Sequence, residues 1–305
     1  MVKGKMFHKI LVTLDGSKEA ESALPYLRDL AMRFGSHVDV LGVGIGKKER
    51  RVNRLLEEYI NRVVVSLCDE RIEAQAVSLY GSSADKILDY VTQGDVDLLI
   101  MATHGRGGIS RWWMGSVAEK VISEVPTPVL LVRSERLRKT RAAKKSPFMK
   151  ILAPLDGSDI GEAALSYVEA LAMETGASLS LLQIISPPGT VEASVLGGHG
   201  WRKFVKAMND ASETYLSGVT KRLEEKGIET AYEVLTGDPA DKIIEYIEDK
   251  EIGLIAMSTH GRSGIARWVL GSVADKVLHE AKMPMLLARS PKVIVPRPKD
   301  LDADS

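Results

Sequence analysis

The chain contains two copies of one sequence unit, and this duplication is the strongest constraint on its fold. The segment from Thr103, THGRGGISRWWMGSVAEKV, aligns without gaps to THGRSGIARWVLGSVADKV from Thr259, with 14 of 19 positions identical. Likewise, HKILVTLDGS from His8 resembles MKILAPLDGS from Met149. Units of this size are domains rather than the repeats of about 20 to 50 residues that build a solenoid. The 305 residues therefore predict two similar domains.

The spacing of the matched segments predicts the domain boundaries and one insertion. We place the first domain at residues 1–136 and the second at 148–292, with a polar, flexible tail at 293–305. The stretch 137–147, LRKTRAAKKSP, is basic and predicts a solvated linker, with an arm that binds nucleic acid as the alternative. Asp156 follows Asp15 by 141 residues, but His260 follows His104 by 156. The second unit therefore carries 15 extra residues, which we place between its second and third strands, within 186–200.

Short β-rich runs alternate with helical patterns in each unit. The first unit has the runs KILVTL, VDVLGV, IEAQAVSLY, DLLIMAT and PVLLV. After the first run, apolar residues from Ala20 to Phe34 recur at three- and four-residue spacing, which predicts one helix that Gly35 ends, as Gly176 does in the second unit. Such alternation predicts a parallel sheet with helices on both faces. Ligands of such sheets bind beyond the carboxyl ends of the strands, where Asp15 and His104 would flank one crevice.

A glycine loop leads from the fourth run into the next helix. Glycines allow backbone N–H groups to approach an anion, and a helix start adds unpaired N–H groups and the positive end of the helix dipole. Ser116 and Ser272 can cap this helix or donate a hydroxyl to phosphate, and Arg106 and Arg262 can supply charge. The pattern predicts a phosphate site, and a tight strand-to-helix turn without a ligand is the alternative. It is neither a Walker loop nor a dinucleotide fingerprint.

These residues resemble the nucleotide motif of the universal stress protein family, which is Gly-x-x-Gly, nine residues, then Gly-Ser or Gly-Thr. Gly105 and Gly115 fit the motif, whereas Ala102 and Ser258 stand where it has its first glycine. The resemblance covers about residues 8–133 and 149–289. It implies an α/β fold of two tandem Rossmann-like (adenine nucleotide alpha hydrolase-like) domains. Each would be a five-stranded parallel sheet in the order 3-2-1-4-5 with helices on both faces.

The resemblance also implies which residues contact an adenine nucleotide. Asp15 and Asp156, each with the residue two before it, would lie against adenine and ribose, and the end of the second strand would contact adenine. The methionine of the fourth strand would line the floor, and the His-Gly-Arg and Gly-Ser-Val segments would follow the ribose and phosphates. The first-domain site would be Thr13, Asp15, Val43, Met101, Ala102, His104, Gly105, Arg106, Gly115, Ser116 and Val117. The second-domain site would be Pro154, Asp156, Ile184, Met257, Ser258, His260, Gly261, Arg262, Gly271, Ser272 and Val273.

We therefore expect a stress-response or regulatory protein that binds ATP, ADP or AMP, with one pocket per domain. A slow ATP hydrolase of the same fold and an interaction module with one or both pockets empty are the alternatives. His104 and His260 have no nucleophile or carboxylate at a spacing typical of a catalytic triad, so we assign no catalytic residue. No protein side chains have metal-ligand spacing, and any Mg²⁺ or Mn²⁺ would be held by the nucleotide's phosphates.

Composition and strand chemistry give the expected partners. With 41 basic and 41 acidic residues, the chain lacks the basic excess typical of nucleic-acid binding. No apolar run reaches the ~18 residues of a membrane helix, and the single Cys68 excludes a disulfide framework, so we expect a cytoplasmic protein without a membrane partner. Single-domain relatives usually dimerise through the last strand. Pro128–Val132 should therefore face Pro284–Ala288, which would make the chain an intrachain pseudo-dimer. Two such chains can pair again into a homodimer. We also expect a protein partner, whose identity is unknown.

Overall fold

The computed structural model describes residues 6–46, 49–103, 114–133, 148–187, 190–259 and 270–289, without the side chains of 190–199 and 201. The first half contributes five strands: β1 Lys9–Thr13, β2 His37–Gly44, β3 Ala74–Tyr80, β4 Leu98–Ala102 and β5 Val129–Val132. The second half contributes five more: β6 Lys150–Pro154, β7 Ser178–Ile185, β8 Thr230–Thr236, β9 Leu254–Ser258 and β10 Met285–Ala288. Each strand therefore lies on one of the β-rich runs or on its counterpart in the second unit.

Helices connect the strands in both halves. In the first half they are α1 Lys18–Glu21, α2 Leu24–Phe34, α3 Arg50–Asp69, α4 Ser83–Gln93 and α5 Ser116–Glu124. In the second half a 3₁₀ turn at Gly161–Ala164 precedes α6 Leu165–Thr175, and α7 Thr190–Glu224, α8 Pro239–Lys250 and α9 Ser272–Glu280 follow. None of the helices in the described part of the chain has an apolar stretch long enough to cross a bilayer.

All ten strands form one sheet, in the order β3-β2-β1-β4-β5-β10-β9-β6-β7-β8. Pairing is parallel within each half, and each half has the predicted order 3-2-1-4-5, so the predicted fold class is confirmed. The two halves join through β5 and β10, which pair antiparallel. The expected pairing of the last strands within the chain is thus present in the structure.

Helices cover both faces of this sheet and bury a continuous apolar core on each. On one face α2, α3, α6 and α7 pack against residues such as Ile10 and Ile151. On the other face α4, α5, α8 and α9 pack against residues such as Leu11 and Leu152. Because β4 and β9 are covered on both sides, all five residues of each are buried, as a continuous apolar run predicts.

The predicted helix after the first strand is wrong in one respect, because the structure divides it into α1 and α2. Pro25 is at the second position of α2, and its ring would clash with the carbonyl of Glu21 in a continuous helix. The second half is divided at the same place, between the 3₁₀ turn and α6, although Ser166 stands where the first half has Pro25, so the proline is not required for the division. The predicted ends are confirmed: Gly35 and Gly176 close their helices with positive φ of 59° and 69°.

The extra residues of the second unit lengthen one helix. Helix α7 has 35 residues, whereas its counterpart α3 has 20. The difference equals the 15 residues predicted between the second and third strands of the second unit, and α7 begins within the predicted segment. At 1.5 Å per residue, the longer helix extends about 22 Å further than α3 does.

Two pairs of aromatic rings connect the halves on one face of the sheet. Phe7 stacks on Tyr167 with ring centroids 6.0 Å apart, and Tyr26 meets Phe148 edge to face at 5.8 Å. Phe148 and Tyr167 are the second-unit counterparts of Phe7 and Tyr26, so each half supplies one Phe and one Tyr. Such pairs stabilise beyond the area they bury, by about 0.5–1.5 kcal/mol each.

Two arginines connect the halves next to the joined strands. Arg133, which follows β5, donates to the carbonyl oxygen of Leu278 at 2.8 Å and to that of His279, near the end of α9. Its counterpart Arg289, which follows β10, donates to the carbonyl of Ile122 at 3.1 Å and to that of Ser123, near the end of α5. A cation is favourable at a helix carboxyl end, so each half stabilises the last helix of the other.

Candidate functional site

The predicted site residues lie at the carboxyl edge of the sheet. In each half the strand order reverses between the first and fourth strands, which are direct neighbours: β1 pairs with β4, and β6 with β9. Beyond such a reversal the connections depart to opposite faces of the sheet and leave a crevice for a ligand. Asp156 follows β6, and Met257 and Ser258 end β9, so residues from both strands reach this crevice.

A cavity of about 340 Å³ occupies this position in the second half. Every predicted second-domain residue that the structure describes lines it, namely Pro154, Asp156, Ile184, Met257, Ser258, Gly271, Ser272 and Val273. The cavity therefore brings together residues from three strands and one helix that are more than 100 positions apart in the sequence.

Asp156, which lines this cavity, is held by a short turn. Its Oδ1 accepts hydrogen bonds from the backbone N–H of Ser158 at 3.0 Å and from the Ser158 hydroxyl at 2.7 Å. The Ser158 hydroxyl oxygen in turn accepts from the N–H of Gly161 at 3.0 Å. These bonds fix the Asp156 carboxylate just beyond the end of β6, where the residue forms part of the lining of the cavity.

The amino end of α9 also lines the cavity. Gly271 caps this helix with extended backbone, and its N–H donates to the carbonyl of Thr259 at 2.9 Å. Ser272 is the first helical residue, and the cap residue Gly271 has no side chain to accept from the helix. The predicted capping role of Ser116 and Ser272 is therefore wrong, since Gly115 and Gly271 hold the cap positions. A cap residue must have non-helical backbone, and the serines are already inside the helix.

The first half places its predicted residues in the same arrangement. Thr13 ends β1, Val43 is near the end of β2, and Met101 and Ala102 end β4. Gly115, Ser116 and Val117 form the start of α5, and the N–H of Gly115 donates to the Thr103 carbonyl at 2.9 Å. Asp15 Oδ1 accepts from the Ser17 N–H at 2.9 Å and from its hydroxyl at 2.6 Å, as Asp156 does from Ser158.

Six predicted site residues lie outside the described residues. They are His104, Gly105, Arg106, His260, Gly261 and Arg262. Their contacts to ribose and phosphate stay predictions from the sequence.

Helix α8 contributes cavity residues that the sequence did not predict. Pro239, the first residue of α8, and Ile243, one turn further, line the cavity of the second half, together with Leu155, Gly161, Ser186, Thr259 and Ala274. The Asp-Pro pair was a usable signal, because Asp238 caps α8 by accepting from the Asp241 N–H at 3.0 Å. A capping Asp before a Pro marks a helix start, and a helix that starts after β8 begins at the carboxyl edge of the sheet.

A repeated tyrosine-glutamate pair lies behind each Asp turn. Tyr215 on α7 donates to Glu162 at 2.7 Å, and Arg222 on α7 reaches the same carboxylate at 3.1 Å. Tyr59 on α3 likewise donates to Glu21 at 3.2 Å in the first half. Burial, followed by the hydrogen bond to Glu162, raises the pKa of Tyr215, so its hydroxyl stays protonated and remains a donor. The pair fixes the residue next to Gly161 and so supports the turn that holds Asp156.

Comparisons with known proteins agree with this architecture. The universal stress protein family model matches residues 52–133 and 147–289. The chain is 32% identical over 145 residues to a universal stress protein of Methanocaldococcus jannaschii, covering 48% of this chain and 84% of that protein. It is 24% identical over 308 residues to one of Mycobacterium bovis, covering 95% of this chain and 99% of the relative.

A solved structure shows the same two-unit fold. The crystal structure of a universal stress protein from Archaeoglobus fulgidus matches with a TM-score of 0.71 at 18% identity, covering 92% of this chain and 98% of that one. At this identity the likeness is one of fold. The family model matches well over half of the chain, in two segments, of which one lies in each half of the sheet. The chain is therefore a member of the universal stress protein family, with two of its units in tandem.

Proposed function

We propose that this protein binds adenine nucleotides, with one site in each half. The observation that carries this proposal is the cavity of about 340 Å³ in the second half, which joins Asp156, an apolar floor and the start of α9. Cavities that bind small molecules are typically apolar with a few convergent polar groups, in the range of about 300–1,000 Å³. The nucleotide motif supplies the ligand class, because these groups are the residues that the family resemblance places around ATP, ADP or AMP.

The apolar part of the cavity suits a purine base. Ile184 and Met257 come from the sheet, and Pro239 and Ile243 come from α8. A flat aromatic base transferred from water into this apolar environment gains from burial of its faces. Asp156 lies beside this region with an acceptor carboxylate, the group that a ribose hydroxyl or an exocyclic amine would donate to.

The start of α9 suits the phosphates. The first four N–H groups of a helix have no partner within it, and the helix dipole adds partial positive charge. Gly271, Ser272, Val273 and Ala274 all line the cavity at this point. A glycine at the cap position lets an oxygen approach the backbone, and the exposed Ser272 hydroxyl can add one more donor.

The nucleotide carried by the purified protein tests this proposal. The full chain is denatured, and the released small molecules are separated and quantified. We expect an adenine nucleotide, at up to two per chain, or uptake of added ATP to that stoichiometry. No adenine nucleotide and no uptake at millimolar ATP would contradict the proposal and favour an interaction module with empty pockets.

We propose that the chain acts by holding the nucleotide rather than by consuming it rapidly. Metal, where present, would be Mg²⁺ or Mn²⁺ carried by the phosphates. The rate of ADP release separates this proposal from an ATP hydrolase: we expect it to stay well below about 1 s⁻¹, the lower end of typical enzyme turnover. Sustained release above that rate would establish catalysis. A cytoplasmic location, a homodimer and an unknown protein partner stay predictions.

A further inference from the structure

The backbone conformation of Gly161 does not require a glycine. Its φ lies outside the positive range that favours glycine, unlike those of Gly157 and Gly176. The residue instead lacks space for a side chain. An ideal Cβ built on Gly161 would lie 2.2 Å from Oδ1 of Asp156 and 3.2 Å from the Ser158 hydroxyl oxygen. Real Cβ atoms do not approach oxygen so closely, so a methyl group here would displace the Asp156 carboxylate.

That displacement would undo the turn that holds the carboxylate. Asp156 Oδ1 is the atom that accepts from both the N–H and the hydroxyl of Ser158, at 3.0 and 2.7 Å. It is also the atom that a Cβ would contact. Gly161 itself lines the cavity of the second half, next to Asp156. The space left by the missing side chain of Gly161 therefore determines where the Asp156 carboxylate lies in the lining of the cavity.

The first half has a different residue at the equivalent position. Ala20 corresponds to Gly161 at the same offset of 141 residues that relates Asp15 to Asp156, and its N–H makes the matching hydrogen bond to Ser17 at 3.1 Å. Here a methyl is present and buried, and the chain enters a regular helix from Lys18 with Ser17 as its cap. In the second half helical structure starts only at Gly161, and as a 3₁₀ turn.

We propose that Gly161 is a positioning residue of the second site, which holds the Asp156 carboxylate in place for the nucleotide, and that the two sites differ at this point. The inference rests on the proposed nucleotide function. It assigns Gly161 no contact of its own with the reacting or binding groups, since its effect passes through Asp156. The second site thus depends on the absence of a side chain at a position where the first site carries a methyl group.

The test is a double-mutant cycle on the second site alone. In the full chain, Gly115→Val removes the proposed first site, and ATP affinity is measured for this parent, for Gly161→Ala, for Asp156→Ala and for the double variant. We expect Gly161→Ala to weaken ATP binding roughly tenfold, comparable to the loss of a hydrogen bond to the ligand. The double variant should bind no more weakly than Asp156→Ala, because residues that act through one another are not additive.

Stability and a reverse exchange provide the controls. Gly161→Ala should remain folded, and its melting temperature should fall by no more than a few degrees, because the reduced freedom of the unfolded chain offsets part of the two hydrogen bonds that Asp156 loses. Ala20→Gly, made with Gly271→Val so that only the first site remains, should change ATP affinity by no more than about twofold, because it removes a group and crowds none. If Ala20→Gly lost as much ATP affinity as Gly161→Ala, any change in this turn would disturb binding. The proposal that binding depends on the missing side chain at Gly161 would then be wrong.

The outcomes separate this inference from the proposal on which it rests. If the parent binds ATP and Gly161→Ala binds equally well, or if the two losses add, the positioning role is wrong and the nucleotide function stands. If the parent binds no ATP, the nucleotide function is wrong for the second half, and the inference fails with it.

Discussion

Leu286 lies directly opposite Leu130 in the antiparallel pair of β5 and β10. Both side chains are buried in the core on the same face of the sheet. The last strand of a half sheet would otherwise present unpaired N–H and C=O groups and recruit another chain. Tandem fusion makes this pairing intramolecular, which raises the effective concentration of each edge for the other.

We predict that cysteines at these two positions form a disulfide. Directly opposed residues of an antiparallel pair have Cα atoms about 4.5–5.5 Å apart, within the range that a disulfide bridges. Leu130→Cys and Leu286→Cys are combined with Cys68→Ser, and the crosslink is detected by mass spectrometry after proteolysis. Leu130→Cys with Leu278→Cys is the control, because Leu278 lies on the other face. Absence of the crosslink, with both strands open to amide exchange, would contradict the pairing.

Arg289 is predicted to stabilise the joined halves. Its guanidinium is partly buried and donates to two carbonyls near the end of α5, and this burial lowers its pKa. Arg289→Ala would leave those carbonyls without their donor, at a cost of about 1–3 kcal/mol in the free energy of unfolding. Arg54→Ala is the control: the Arg54 side chain is 80% exposed, so its ion pair with Glu58 should contribute less than about 1 kcal/mol. If urea unfolding gave the same loss of unfolding free energy for Arg289→Ala and Arg54→Ala, the Arg289 contacts would stabilise the fold no more than an exposed ion pair does.

Asp39 forms the centre of a polar network in the first half, and Ser180 stands at the matching position of the second half. Its buried carboxylate accepts from Gln75 at 2.7 Å and from Tyr90 at 2.7 Å, and pairs with Lys9 at 3.1 Å and His37 at 3.1 Å. Burial raises the pKa of Asp39, but the hydrogen bonds from Tyr90, Gln75 and Lys9 and the charge of Lys9 outweigh it. The pKa is therefore held below its ordinary value of 3.8.

The lowered pKa predicts a stability that depends on pH. A carboxylate whose pKa is lower in the folded state stabilises the fold above its ordinary pKa, and the contribution is lost as the pH falls through the folded value. Asp39→Asn should lower the free energy of unfolding by about 2–4 kcal/mol at pH 7, and the difference from wild type should shrink below about pH 4. Ser180→Ala, at the matching position of the second half, should give a small difference that does not vary with pH. A constant difference for Asp39→Asn would contradict the assignment.

The fold was largely predictable because its signals are local and repeated. The alternation of β-rich runs with 3.6-residue periodicity indicates the parallel sheet, and Gly35 marks a helix end whose backbone has positive φ. The division between α1 and α2 was missed because the apolar spacing runs unbroken through Pro25. Periodicity reports which face is buried, and it does not report a break in the backbone, which Pro25 favours in the first half and which the second half shows without a proline.

The site was predictable in part. The cavity residues that belong to the nucleotide motif, such as Asp156 and Gly271, follow from the sequence. The Asp-Pro pair indicates where α8 begins, but the contact of Pro239 and Ile243 with the cavity depends on how α8 packs on the sheet. The role of Gly161 was equally hidden, since the 2.2 Å approach to Asp156 exists only in the folded turn.

Asp15→Ala and Asp156→Ala are predicted to act on separate sites. Each removes a carboxylate from its own half, and a lost hydrogen bond to the ligand costs about 1–3 kcal/mol when its partner is left unsatisfied. Calorimetric titration with ATP should therefore show one weakened and one unchanged site in each single variant. A single variant that empties both sites would exclude two independent pockets.

ATP titration of glycine variants tests the nucleotide sites most directly. A valine at Gly115 or Gly271 would place a branched side chain between the backbone N–H groups and the phosphates, at a cap position where the extended backbone tolerates it. Calorimetry should find two sites per chain in the wild type, one in Gly115→Val, one in Gly271→Val and none in the double variant, with circular dichroism showing each to be folded. ATP binding that is unchanged in the folded double variant would show that the helix starts are not the nucleotide sites.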